Sequence, residues 1–318
     1  MSNHRLASVL ILVLCFSSAA IAQSPRSAQD AYDRGRQRYL KGDLAGAIVD
    51  FTAAIELSSR PDGPSQSGHN NLTDASDFIA VNRDVSRIAL VDPLTAAAYV
   101  GRSLARHYRG DLEGALDDCD KAIAIDPGLP DSYNSRGSSR FAKGDLDGAI
   151  ADFNKAIEID PQGADAYNNR GNALVAKGNS EAALADFDTG ITLNPRSAEI
   201  YCNRAQIRRD RGDLEGALAD ADRAIKLNSR LAEAFHVRGM MRYYKQDLQR
   251  AVADFDKAIE LNPRHARAYG HRGFVRLQQG QDAKAQADFA RCLTLDPSLK
   301  PKLDQGIQAL KQSRGITR

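Results

Sequence analysis

The chain has 318 residues, with 43 basic and 41 acidic side chains mixed along its length and a net charge of +2. That balance leaves no basic stripe and argues against a nucleic-acid partner. Trp is absent and aromatic residues are 6% of the chain, which suits helical repeats with one large ring per unit.

In chain order, residues 1–22 come first. Arg5 gives a short positive start, Leu6 to Phe16 is almost wholly apolar, and Ala20-Ile21-Ala22 supplies small residues at signal-peptidase spacing. This predicts a secretory signal cleaved after Ala22, and an exported bacterial protein that is periplasmic or secreted. The alternative is an uncleaved anchor, because Leu6 to Ala22 is 17 residues, the lower limit for a spanning helix. Lipidation of Cys15 is disfavoured by the large Leu14 before it. No other long apolar run exists, so no stable membrane insertion is expected after signal cleavage.

Beyond the signal, seven Arg/Asp pairs recur with the Asp sixteen positions after the Arg: Arg34/Asp50, Arg102/Asp118, Arg136/Asp152, Arg170/Asp186, Arg204/Asp220, Arg238/Asp254 and Arg272/Asp288. From Arg102 onward the step is 34 residues, and Arg34 lies two steps before Arg102. A period in this range means a stacked repeat array, which overrides the length prior of about two domains. The unit 164–197 reads as a helix, a left-handed turn at Gly178, a cap at Asn179, and a second helix carrying Ala183, Leu184, Phe187 and Ile191 on one face. Asn194-Pro195 ends it. Asp43, Asp111, Asp145, Asp213 and Asp247 stand where Asn179 does. The fold class is therefore all-α, built of helix-turn-helix units.

In register, the units are 28–61 and the six of 96–299. The slot 62–95 is degenerate: Pro61, Gly63, Pro64 and Gly68 make a loop, and Phe78, Val81, Val85 and Ile88 mark one helix ended at Asp92-Pro93. Residues 300–318, with Leu303, Ile307 and Leu310 on one face, read as a capping helix. The loop from Pro61 to Asp74 is either a functional insertion or a decayed helix.

Residue size repeats as well. Position 8 of each unit is small, as at Gly35, Gly137 and Gly171, and position 20 is always Ala. Rings recur at position 4, as at Tyr133 and Tyr167, and at position 24, as at Phe153 and Phe187. With Ala at 27 and Pro at 32, this pattern closely resembles the tetratricopeptide repeat family, and the stretch from Ala166 to Ala173 is a near-consensus start. The resemblance covers 28–299 except the first half of 62–95. It implies a right-handed superhelical α-solenoid whose concave groove holds peptides or partner proteins. Position 7, commonly Leu in the family, is Arg in all seven clear units. Cys119 and Ala221 replace the ring at 24, which predicts looser packing there.

The ladder residues Arg136, Asp152, Arg170, Asp186, Arg204 and Asp220 are read as structural ion pairs between first and second helices, since a guanidinium matches a carboxylate bidentately. The alternative is a basic strip for an acidic ligand. No catalytic, metal or cofactor signature is present: there is no His-Glu-x-x-His, no Cys-x-x-Cys, no P-loop and no Gly-x-Ser-x-Gly. His265 and His271 are six residues apart and do not share a helix face. Cys119 and Cys292 read as buried apolar residues and Cys202 as facing the groove.

The resemblance places positions 2, 5, 6, 9, 12 and 13 on the concave side. There the chain carries Asn134, Asn168, Asn169, Asn172 and Asn203, whose amides both donate and accept and so suit an extended peptide backbone. Farther along come His236, Met240, Tyr243, Tyr244 and Phe274, a candidate apolar pocket. The alternative is that the asparagines are consensus surface residues and the rings pack on neighbours. The cluster of Lys and Asn by which related adaptors clamp a C-terminal carboxylate is absent. The expected function is a non-catalytic exported scaffold that binds protein or peptide segments, in bacterial envelope assembly. The other reading is a spacer subunit of an envelope polymer-export or secretion complex. Partner identity and oligomeric state are not legible.

Overall fold

The computed structural model describes residues 25, 27–59 and 93–313. The expected signal, the loop from Pro61 to Asp74 and the helix around Phe78 to Ile88 lie outside the described residues. The chain divides into two compact units at residues 159 and 160. Among the described residues every regular element is helical.

The first unit holds α1 (Ala28–Leu40), α2 (Leu44–Ser58), α3 (Pro93–Tyr108), α4 (Leu112–Ile125), α5 (Pro130–Lys143) and α6 (Leu146–Ile159). The second holds α7 (Ala164–Ala176), α8 (Ser180–Leu193), α9 (Ala198–Asp210), α10 (Leu214–Leu227), α11 (Ala232–Tyr244), α12 (Leu248–Leu261), α13 (Ala266–Gln278), α14 (Asp282–Leu295), a 3₁₀ turn (Pro297–Leu299) and α15 (Lys300–Ser313). Each odd-numbered helix up to α13 pairs with the next to form one hairpin.

Local chemistry sets the hairpins. Gly42, Gly110, Gly144, Gly178, Gly212 and Gly280 end the first helices at φ between 77° and 85°, where a side chain is strained. The next helix starts on a carboxylate or amide cap: Asp43, Asp111, Asp145 and Asp213 each accept the N–H of the glycine three residues on, at 2.9–3.0 Å. Asn179 accepts from Ala182 and Asp247 from Arg250. Second helices end on extended residues such as Asp126, Asn194 and Asn262, each followed by Pro, as the clash of a proline ring with a preceding helical residue requires.

Packing depends on close approach. The seven alanines at position 20 are fully buried. Gly171 lies under the Phe187 ring so tightly that a Cβ would sit 2.6 Å from it, and Gly35, Gly137, Gly239 and Gly273 repeat the arrangement. At Cys119 and Ala221, where looser packing is expected, both side chains are fully buried. Ser103 and Ala205 replace the glycine in those two units, returning part of the lost volume. Cys119 Sγ donates to Ser103 Oγ at 3.3 Å, and Val237, Met240 and Met241 cluster with Ala205 and Ala221.

α3 begins at Pro93, earlier than the unit boundary at 96, because proline is well suited to a first helical position. It packs directly on α2: the Phe51 ring reaches over Gly101, and Arg102 Nη1 donates to Thr52 Oγ1 at 3.0 Å. The helices that flank the 62–95 slot therefore touch each other. At the other end α15 lays Leu303, Ile307 and Leu310 against Leu277, Phe289 and Cys292.

Gln246 stands at the turn position that six other units fill with glycine, at φ 63°. A left-handed non-glycine residue costs about 1–2 kcal/mol, partly offset by the greater entropy that glycine loses on folding. Gln246→Gly is expected to raise stability by up to about 1 kcal/mol, read from the urea midpoint. A lower midpoint would show that the Gln278–Gln246 side-chain bond (2.8 Å) matters more than the strain.

Candidate binding groove

The ladder residues meet as ion pairs between first and second helices. Every repeat Asp is buried, with at most 6% exposure. Arg204 Nε and Nη2 donate to the two Asp220 oxygens at 2.8 and 2.6 Å, and the same bidentate geometry holds Arg136 to Asp152 and Arg170 to Asp186. A second arginine one turn on adds a contact to the same carboxylate, as Arg208 does to Asp220 at 2.9 Å and Arg140 to Asp152 at 2.8 Å. The free Nη1 reaches back to an exposed Asp of the preceding hairpin: Arg136 to Asp120, Arg204 to Asp188, Arg238 to Asp222 and Arg272 to Asp256, at 2.6–2.9 Å. From Arg102 onward each ladder guanidinium also lies over the ring three residues before it, such as Arg204 over Tyr201 at 5.6 Å. Hydrogen bonding to Asp152, only partly opposed by burial, raises the Arg136 pKa. These arginines are committed to the stack rather than held out for a ligand.

Asn134 lies on α5 of the first unit, half-buried. The other four candidate asparagines are in the second unit. Asn203 Nδ2 on α9 donates to Asn168 Oδ1 on α7 at 2.9 Å, and Asn168 Nδ2 lies 3.5 Å from Asn169 Oδ1. Asn172 is half-buried, one turn beyond Asn168 on the same helix. The row continues along α9 at three-residue steps from Asn203 to Gln206 and Arg209.

Gln206 and Arg209 open onto a pocket of about 320 Å³ in the second unit. Val237, Met240 and Phe274 line its apolar side, α15 closes it with Leu303, and Arg267 and Lys302 stand at its edge. Met240, Phe274 and His236 thus come together. Tyr243 and Tyr244 do not: Tyr243 packs on the core of α10–α12, and Tyr244 lies on it, with ring centroids 5.8 Å apart, 49% exposed.

Cys202 is not at the groove surface. It is buried with Ala198, Ala224 and Ala234, and burial pushes its thiol pKa up. Cys119 is pushed to about 12 by the same cause, so neither is a reactive thiolate at neutral pH.

The sequence spacing also missed a cluster. Glu233 and His236 are one turn apart on α11, and His265 caps α13. Glu233 Oε1 is 3.3 Å from His236 Nδ1, and Oε2 is 2.9 Å from His265 Nε2. His236 Nε2 meets His271 Nδ1 at 2.7 Å. Burial alone would raise the Glu233 carboxyl, but hydrogen bonds from His236 and His265 reverse this and hold it well below the usual range. Burial lowers His236 and His271. Spacing along a single helix does not show this cluster, because His265 is delivered by the next hairpin of the stack. The available signal was that position 34 is His only here, among Pro, Leu, Gly and Ser elsewhere.

A family model described as TPR repeat matches residues 137–178, and models described as Tetratricopeptide repeat match 80–130, 168–232, 232–265 and 255–287. Together they span more than half of the chain. The chain belongs to the tetratricopeptide-repeat family. Its fold is similar to that of a tetratricopeptide repeat protein from Parabacteroides merdae, with a TM-score of 0.58 at 19% identity, covering 90% of this chain and 99% of that one. It is similar to Pseudomonas aeruginosa pilF (TM-score 0.58, 19% identity, 67% and 96% covered) and to yeast Tom70 (0.53, 21%, 98% and 59%). No curated protein is significantly similar in sequence. In this tetratricopeptide frame, the pocket residues Gln206, Arg209, Glu233, His236, Val237, Met240, Arg267, Gly270, His271 and Phe274 all occupy positions 2, 5, 6, 9 or 12 of their units.

The tetratricopeptide ladder can be tested where it is thinnest. Leu174 stands where other units have the second arginine, so among the described residues Asp186 receives only Arg170. Arg170→Ala is expected to destabilise more than Arg136→Ala, by about 1–2 kcal/mol, because Asp152 keeps Arg140 while Asp186 is left buried and unpaired. Urea unfolding of both variants reads this. A melting temperature unchanged in Arg170→Ala would mean the pairs are not structural, and equal losses would mean that the second arginine does not compensate.

Proposed function

We propose that the protein is a non-catalytic scaffold that takes an extended peptide segment, or a tail of a partner protein, along the α7–α9 face and into the pocket of the second unit. The observation that carries this is the pocket itself, an apolar wall of Val237, Met240, Phe274 and Leu303 beside two exposed cations, Arg267 and Lys302. The wall suits an apolar side chain, and the cations suit a neighbouring carboxylate. The amides of Asn168, Asn172 and Asn203 and the side chain of Gln206 lead up to it and match a peptide backbone, whatever its side chains. The export reading rests on residues 1–22 and extends the proposal to a bacterial envelope partner. Among the described residues no helix is long and apolar enough to cross a membrane.

The test is selection of a displayed peptide library on the purified protein. Recovered peptides are expected to share an apolar residue next to an acidic residue. Asn168→Ala with Asn172→Ala, and separately Arg267→Glu, should each weaken a selected peptide about tenfold or more, of the order of one or two lost hydrogen bonds to charged or buried groups. Melting temperatures should stay unchanged. A library that converges on nothing, or peptides indifferent to both changes, would contradict the proposal.

A further inference from the structure

From the Glu233, His236 and His265 side chains we propose a site for a divalent transition-metal ion, such as Zn²⁺, in the second unit. The three ligand atoms, Glu233 Oε, His236 Nδ1 and His265 Nε2, all lie within 4.8 Å of one another. Each ring already meets one oxygen of the carboxylate, His236 Nδ1 at 3.3 Å from Oε1 and His265 Nε2 at 2.9 Å from Oε2, so both imidazoles flank Glu233 where an ion with bonds of about 2.0–2.2 Å would sit. Closing the triangle requires the two rings to turn toward a common point. Two imidazoles and one carboxylate are donors for zinc, iron, nickel or copper rather than for magnesium or calcium. Three protein ligands leave a further position for water, as in open zinc sites.

The support around the triad matches what a metal needs. Metal-bound imidazoles hold their orientation by donating the distal N–H to an acceptor. His236 has that partner: its Nε2 lies 2.7 Å from His271 Nδ1, and the two rings stack at 5.0 Å. Without metal, His265 Nδ1 accepts the Ala268 N–H, so its proton is on Nε2 and points to Glu233. Binding moves that proton to Nδ1 and gives up a cap bond that is only 3.4 Å long, and it likewise moves the His236 proton from Nδ1, where it faces Glu233, to Nε2, with the His271 proton shifting to its own Nε2 so that Nδ1 accepts.

The repeat does not itself call for these residues. Position 5 is Tyr, Val, Asn, Asn, Cys or Gly in the other clear units, and position 34 is Pro, Leu, Gly or Ser. Two departures from the pattern, His236 and His265, coincide in space beside Glu233, at the junction of α11 and α13, although 32 residues separate Glu233 from His265. Among the seven clear units only this one has His at positions 5 and 34. The inference does not depend on the peptide reading.

The experiment titrates the full chain, stripped with EDTA, with Zn²⁺ alone in a calorimeter, and compares melting temperatures in Zn²⁺ and in EDTA. Wild type should bind one ion per chain with a micromolar or tighter Kd and melt higher in Zn²⁺. Glu233→Gln and His265→Gln should each weaken binding at least a hundredfold and abolish the Zn²⁺ shift. His271→Ala should weaken it about tenfold to a hundredfold, as expected of a residue that orients a ligand. His69→Ala should change nothing. The readout for each variant is its own difference between Zn²⁺ and EDTA, so a variant that melts lower without metal still reports. Absence of one-to-one binding, or binding that survives Glu233→Gln and His265→Gln, would show that the cluster is only a hydrogen-bonded staple.

Discussion

A carboxylate buried between two helices must find a cation, and the described stack is arranged around that requirement. Moving a lone carboxylate out of water costs several kcal/mol, and a bidentate guanidinium with further donors offsets it. Asp220 shows the solution in full: Arg204 holds both oxygens, Arg208 adds a third contact, and Arg204 keeps one nitrogen for Asp188 of the hairpin before. One arginine thereby ties three helices, α8, α9 and α10. The ring of Tyr201 beneath it covers the face that makes no hydrogen bond. Packing against alanines and glycines permits the helices to come close enough for such short contacts. The glycine under Phe187 and the serine beside Cys119 are two ways of filling one fixed space.

A scaffold fixed this strictly leaves variation to the positions that the stack does not use. On the α7–α9 face and in the pocket, positions 5, 6 and 9 change from Asn to His, Val, Met and Phe, while positions 7, 8, 20 and 23 hardly change. The distinctive chemistry of the second unit sits there, as a polar row that runs into an apolar pocket with cations at its edge. The Glu233 cluster lies at the pocket wall, built from the same kind of variable position.

Much of this was legible in the sequence because it repeats. The step of 34 residues gave the helix pairs, the caps at Asp43 and Asn179 and the pairing of Arg170 with Asp186, since each signal was repeated and needed only local chemistry to interpret. What repetition does not encode was harder. Cys202 read as exposed because its position faces the groove in the pattern, yet the small residues Ala198 and Ala234 leave room for the thiol to turn inward. Tyr243 looked like a pocket residue and instead fills the core of its own hairpin. The loss of the ring at Cys119 and Ala221 suggested a gap, and the compensating residue at position 8 had to be read jointly with it. The His265 contact needed the third dimension, because neighbours on the stack are separated by nearly a whole repeat in sequence.

The most direct measurement of the account is a double-mutant cycle on Arg170 and Asp186, using Arg170→Met, Asp186→Asn and the pair, in urea with m-values compared. The account expects a coupling of about 2–3 kcal/mol, the upper range for residues in direct contact. A coupling below about 0.5 kcal/mol, the value of an ordinary exposed ion pair, would contradict it.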